Sequence, residues 1–186
     1  MKIEKLFPVV LFVASTVLFP SCDKLKDISV SKQKSVKIEV ETVVNDEGTT
    51  FSSLSLRSSE DNTFSGSANI NLSEILSLSG FDLSEISAVS VTNVNIKTFC
   101  TKEGDYYAEN IQLKSTGAST TINRVVLGES VSGNSEINSF LQTVLTNLIK
   151  GNTVPISISG TTNLNPPGTK IVYTFEIDAK WSIGLL

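Results

Sequence analysis

The chain has no histidine, only two cysteines and a single tryptophan among its 186 residues. Each scarcity removes chemistry. Without histidine there is no Ser–His or Cys–His nucleophile pair and no imidazole metal ligand. Zinc, copper and non-haem iron sites lose their commonest ligand, and two separated cysteines do not replace it. Arginine is scarce and the formal charge is −4, so no basic stripe offers itself to a nucleic-acid backbone. Phosphate-binding loops and glycine-rich dinucleotide turns are also missing. No catalytic residue, cofactor site or metal site is therefore expected, and no nucleic-acid partner. What the chain does have is Ser, Thr, Asn, Val and Ile, the makeup of half-buried strands joined by polar turns.

Long apolar runs are scarce too, and the longest comes first. Lys2 and Lys5 precede fourteen residues without charge, Leu6 to Phe19. That run is shorter than the roughly 20 residues a membrane span needs, and it has the length of a secretory leader. It ends in Leu18-Phe19-Pro20-Ser21-Cys22. This stretch resembles the lipobox of bacterial lipoproteins, in which a small residue precedes the cysteine; Phe19 and Pro20 depart from the usual pattern while keeping it apolar. The resemblance covers only the first 22 residues. It implies cleavage after Ser21, a lipid on the Cys22 sulfur, acylation of the new amino terminus, and membrane attachment through that cysteine. One fatty chain gives only marginal membrane binding, whereas several on one residue anchor it durably. The expected location is the cell envelope, on the outer membrane, with the facing side left open.

Losing Lys2, Lys5 and Glu4 with the leader turns the formal charge into −5 for residues 22–186. Residues 22–35 are polar and unpatterned and read as a lipid-anchored tether. Residues 36–186 are enough for one domain with a real core. Val36, Ile38, Val40, Thr42 and Val44 alternate with polar neighbours as a first strand. Phe51, Leu54 and Leu56 suggest a second strand region, and residues 64–72 a further one. Asn71 or Ser73 can cap a short helical turn bearing Leu72, Ile75 and Leu76, with Gly80 as its stop. In the long strand 86–99 the alternation changes phase between Val91 and Val94, which predicts a bulge near Thr92-Asn93. Lys102-Glu103-Gly104-Asp105 reads as a hairpin turn, and Gly117-Ala118-Ser119 as another.

Ile137, Phe140, Leu141, Val144, Leu145, Leu148 and Ile149 keep helical spacing, with Asn134 or Ser135 to cap the start and Gly151 to stop it. Two strands follow, 153–162 and 170–183. The last alternates most strictly: Ile171, Tyr173, Phe175, Ile177, Ala179, Trp181 and Ile183 on one face, Thr174, Glu176, Asp178, Lys180 and Ser182 on the other. The expected fold is mainly β: an antiparallel β-sandwich, immunoglobulin-like in form, with one amphipathic α-helix and a short helical turn. A curved sheet on the helix, or a small barrel, is the alternative.

Few side chains stand out as candidate sites. Glu176 and Asp178 share a strand face, as a glycosidase pair would, but Lys180 beside them makes a solvated stripe the simpler reading. Asp46-Glu47-Gly48, Glu60-Asp61-Asn62 and Glu103-Gly104-Asp105 lack the ligand spacing of a calcium loop. Cys100, beside Phe99, reads as a small buried hydrophobe. Tyr107 and Trp181 fall on core faces, leaving Tyr106 as the exposed aromatic. Cys22 is thus the one assigned site, for lipid attachment. The expected function is a membrane-anchored, non-catalytic binding or adhesion module whose loops touch a glycan, a peptide or an envelope protein. A structural or assembly lipoprotein, or a carrier of an apolar ligand, is the alternative.

Overall fold

The strand with the strictest alternation becomes the one between two others. In the computed structural model, which describes residues 29–45, 62–76, 85–151 and 153–184, Lys170–Gly184 forms the last strand, β8. It is preceded by β1 (Ser29–Asn45), β2 (Asn62–Asn71), α1 (Leu72–Leu76), β3 (Ile86–Cys100) and β4 (Tyr107–Ser115). Next come β5 (Ala118–Val126), β6 (Ser130–Ser132), α2 (Ser135–Gly151) and β7 (Thr153–Thr162). The leader with Cys22, the apolar positions Phe51, Leu54 and Leu56, and Gly80 lie outside the described residues.

All eight strands among the described residues join one antiparallel sheet in the order β5-β4-β7-β2-β1-β8-β3-β6. β1 matches β8 over 15 residue pairs and β2 matches β7 over 10, yet β1 and β2 share only three, Val43–Asn45 with Thr63–Ser65. The sheet folds over at that short seam into two four-stranded layers. The other margin demands the same curl. Laid flat, β5 and β6 would stand roughly 34 Å apart at about 4.8 Å per strand. They are joined by Leu127–Glu129 alone, four Cα steps or about 15 Å of chain. The result is a mainly β, antiparallel sandwich, nearly closed like a barrel, with one amphipathic helix and one short helical turn. Its two layers belong to one continuous sheet, so the curved-sheet and barrel alternatives describe the same object from another side.

The inward faces follow the alternation. Ile171, Tyr173, Phe175, Ile177, Ala179 and Trp181 of β8 are completely buried, against Val36, Ile38, Val40 and Val44 of β1. Each such large side chain contributes about 1.5–3 kcal/mol by leaving water. Phe64 stacks on Tyr173 with ring centroids 5.8 Å apart, and Thr42 Oγ1 donates to the Ile171 carbonyl at 3.0 Å. Burial pushes the Tyr173 phenol well above its ordinary pKa. The seam needs a residue without a side chain: a Cβ on Gly66 would sit 2.1 Å from the Glu41 carbonyl oxygen.

The bulge expected in β3 is there, as a register shift against β8 between Val91 and Asn93; a second lies between Ile86 and Ala88. In α1, Asn71 Oδ1 accepts from the Ser73 amide at 3.0 Å, an N-cap contact. Asn134 caps α2, its Oδ1 accepting from the Ile137 amide at 2.9 Å. Two expectations are corrected. Residues 102–105 do not close a hairpin, because β3 pairs with β8 and β6, and β4 with β5 and β7; the turn carries the chain from one layer to the other. Seven residues of the expected tether, 29–35, belong to β1 and run along β8 from Gly184 to Asp178. Their side chains from Val30 to Ser35 are mostly exposed, so backbone pairing rather than burial holds them there.

Candidate functional site

α2 lies across the margin where the two layers part, packing on β3 of one layer and on β5 and β7 of the other. Ile137, Phe140, Leu141, Val144, Leu145 and Leu148 bury its apolar stripe. On its polar side hydroxyls bond back to the helix's own carbonyls: Ser139 Oγ donates to the Ser135 carbonyl at 2.8 Å and Thr143 Oγ1 to the Ser139 carbonyl at 3.1 Å. Gln142 ties the helix to β3. Its Nε2 donates to the Val89 carbonyl and its Oε1 accepts from the Val91 amide, both at 2.7 Å, so the side-chain amide stands in for one unit of a neighbouring strand. Further along, Asn147 Nδ2 donates to the Thr116 carbonyl at 2.8 Å and pins the β4–β5 turn, where Gly117 takes φ 74°.

Between this helix and β5 runs an open groove of about 590 Å³. Gly117 to Thr121 form one wall; Ser135, Glu136, Ser139 and Thr143 form the other, over the ring of Phe140. The lining is almost entirely hydroxyls and small residues, and Glu136 is its one charged member. In the β5 wall Thr120 Oγ1 is buried and has no hydrogen-bond partner. Leaving a buried hydroxyl unmatched costs about 1–3 kcal/mol. Sequence reasoning missed this groove. Its residues are ordinary Ser and Thr in a Ser/Thr-rich chain, and only the fold brings β5 and α2 together.

The outer face of β1, β8 and β3 is a ladder of matched charges. Lys97 Nζ lies 2.7 Å from Glu176 Oε1, Lys37 Nζ 2.6 Å from Glu39 Oε1 and Lys170 Nζ 2.8 Å from Glu41 Oε1. The Lys97 hydrogen bond holds the Glu176 carboxyl below its ordinary pKa, helped by Asn95, and Lys37 does the same for Glu39. Asp178 accepts from Ser35 Oγ at 2.5 Å. Glu176 and Asp178 are thus engaged in cross-strand pairing, in keeping with a solvated stripe. A second depression, of about 520 Å³, on this face contains Phe99, which is 62% exposed.

The aromatic residues separate. Trp181 is completely buried, Tyr106 packs half-buried against the core, and Tyr107 is half-buried under the Arg124 guanidinium, 4.1 Å from its ring centre. Tyr107 is therefore less buried, and Tyr106 less exposed, than the alternation suggested. Cys100 packs at the core margin with Sγ 3.4 Å from the Lys102 carbonyl oxygen. Among the described residues no three His, Cys, Asp or Glu side chains gather as a metal site, and no helix is long and apolar enough to cross a membrane.

These features define a class, the two-layered antiparallel sandwich with a helix set into its open margin. No protein-family model and no curated protein matches the chain. A solved structure from Desmodium yellow mottle tymovirus aligns over 100% of this chain and 98% of its own, at 12% identity and a TM-score of 0.35. A likeness that slight assigns neither function nor partner.

Proposed function

We propose that the protein is a membrane-anchored bacterial envelope lipoprotein, held through lipid on Cys22, whose sandwich domain is a non-catalytic binding module. The observation that carries the binding reading is the open groove between β5 and α2, walled by hydroxyls and a single carboxylate. Its chemistry suits hydrogen bonding to a polar partner. The leader up to Cys22 supports the anchor by its resemblance to a lipobox. The assembly alternative draws on one feature, Phe99 on the outer face of the other layer.

Site-specific photocrosslinking in the native envelope tests both. A benzoylphenylalanine at Ser139 should give a discrete adduct with an envelope macromolecule. The same group at Thr174, on the outer charged face, should give none. Adducts from Phe99 alone would move the contact surface to the assembly reading, and no adduct from Ser139 refutes the groove as the binding surface.

A further inference from the structure

Of the two layer margins that α2 bridges, it caps strand backbone with hydrogen bonds at only one; at the other it reaches the β4–β5 turn alone, through Asn147 and Thr116. Gln142 satisfies the β3 edge at Val89 and Val91. Across the groove, β5 is the terminal strand of the sheet among the described residues, paired there with β4 alone. The two-residue turn Thr116–Gly117 makes Ser115 and Ala118 the closing pair of that hairpin. Antiparallel residues alternate between facing the partner strand and facing away. Ala118, Thr120 and Ile122 therefore bond toward β4, and Ser119 and Thr121 turn their N–H and C=O groups outward. Among the described residues no side chain of α2 is hydrogen-bonded to either. An unpaired row of this kind is a template for one more strand.

The groove fits such a strand. Small side chains on both walls leave room for the alternating side chains of an extended chain. Phe140, the groove's aromatic residue, is buried in the core with no open face for a sugar ring to stack on. Glu136, exposed on the first turn of α2, selects for positive charge. Resting on the binding-module reading, we propose that the β5 edge accepts an extended polypeptide segment of a partner protein as an added strand, with a lysine or arginine of that segment against Glu136. Main-chain bonds supply the affinity of such strand addition, and side-chain pockets its selectivity.

The test uses the full chain in detergent and a display library of random decapeptides, with Thr121→Pro as the counter-target. Proline removes one outward N–H and is tolerated on a sheet edge, so near-wild-type circular dichroism and melting should persist. Selected peptides should carry a central Lys or Arg and lose at least tenfold in affinity to Thr121→Pro. Methylating alternate backbone nitrogens of the peptide should cause the same loss. Glu136→Lys should shift the selection toward acidic peptides. Peptides that bind Thr121→Pro equally well, or a library with no enrichment over it, overturn the proposal. So does self-association of the protein abolished by Thr121→Pro, which would give the edge to a second copy. A Ser139 adduct that survives Thr121→Pro in the envelope would leave the binding module standing while removing strand addition; loss of every Ser139 adduct, in the wild type as well, removes both.

Discussion

Replacing Gln142 by leucine is the sharpest test of how the helix is held. The change keeps helix propensity and, with a side chain one atom shorter and apolar, deletes both contacts to β3, at Val89 and Val91. Each neutral hydrogen bond contributes about 0.5–1.5 kcal/mol net, and a buried group left without a partner costs about 1–3 kcal/mol. Two partly buried backbone groups are orphaned, so a loss of about 2–4 kcal/mol is expected. For a domain of this size each kcal/mol lowers the melting temperature by about 2–4 °C, giving a drop of about 4–16 °C. Urea unfolding followed by circular dichroism, wild type beside variant, reads the difference directly. Gln142→Glu sharpens the test. It keeps an acceptor for the Val91 amide but sets a negative oxygen against the Val89 carbonyl. The folded state then favours the protonated carboxyl, raising its pKa above the unfolded value. Stability is fullest at acid pH and falls as pH rises through the folded pKa. A Gln142→Leu protein within about 0.5 kcal/mol of wild type, the scatter of ordinary surface substitutions, would refute the reasoning.

Three further outcomes follow from the geometry. Gly66→Ala places a methyl 2.1 Å from the Glu41 carbonyl oxygen, and since backbone must shift, a loss of about 3 kcal/mol or more is expected in urea unfolding; an unchanged midpoint would mean the seam is loose. Lys97→Met removes the first cause of the lowered Glu176 pKa, so carboxyl titration by NMR should show Glu176 rising toward its ordinary value; because a lowered carboxylate stabilises above its unfolded pKa and loses that as pH falls through the folded one, the variant should also be less sensitive to acid below about pH 4.5, the reference value for glutamate. Cys22→Ala should accumulate as an unprocessed precursor or appear free of the membrane on fractionation, and a variant that matures at the same position and stays membrane-bound would remove the lipid anchor.

Local patterns were legible wherever burial wrote them. β8 repeats its inward set without a break, the phase change in β3 marks the bulge near Thr92-Asn93, and α2 declares itself through its stripe and Asn134. Residues 29–35 escaped notice because they pair mainly through backbone and bury no apolar row, leaving no alternation to read. The turn at 102–105 looked like a hairpin because turn residues are the same whether the chain returns beside itself or crosses to another layer. Which strands pair is decided at long range. The groove was illegible for a related reason: Gln142 meets its β3 partners across 51 and 53 residues of chain, and nothing about a glutamine on a polar helix face announces that.

The place of β8 also sets a schedule. It lies between β1 and β3, so neither of those strands has its main neighbour until the last strand has been made. Synthesis delivers the chain from its N-terminal end, and contacts this distant in sequence form slowly. The layer β5-β4-β7-β2 has all its strands first, while the β1–β3 half waits with an unfilled slot between two long strands. A nascent chain therefore cannot close one of its two walls until β8, the latest of the described strands, has been made, and that half stays slack until then.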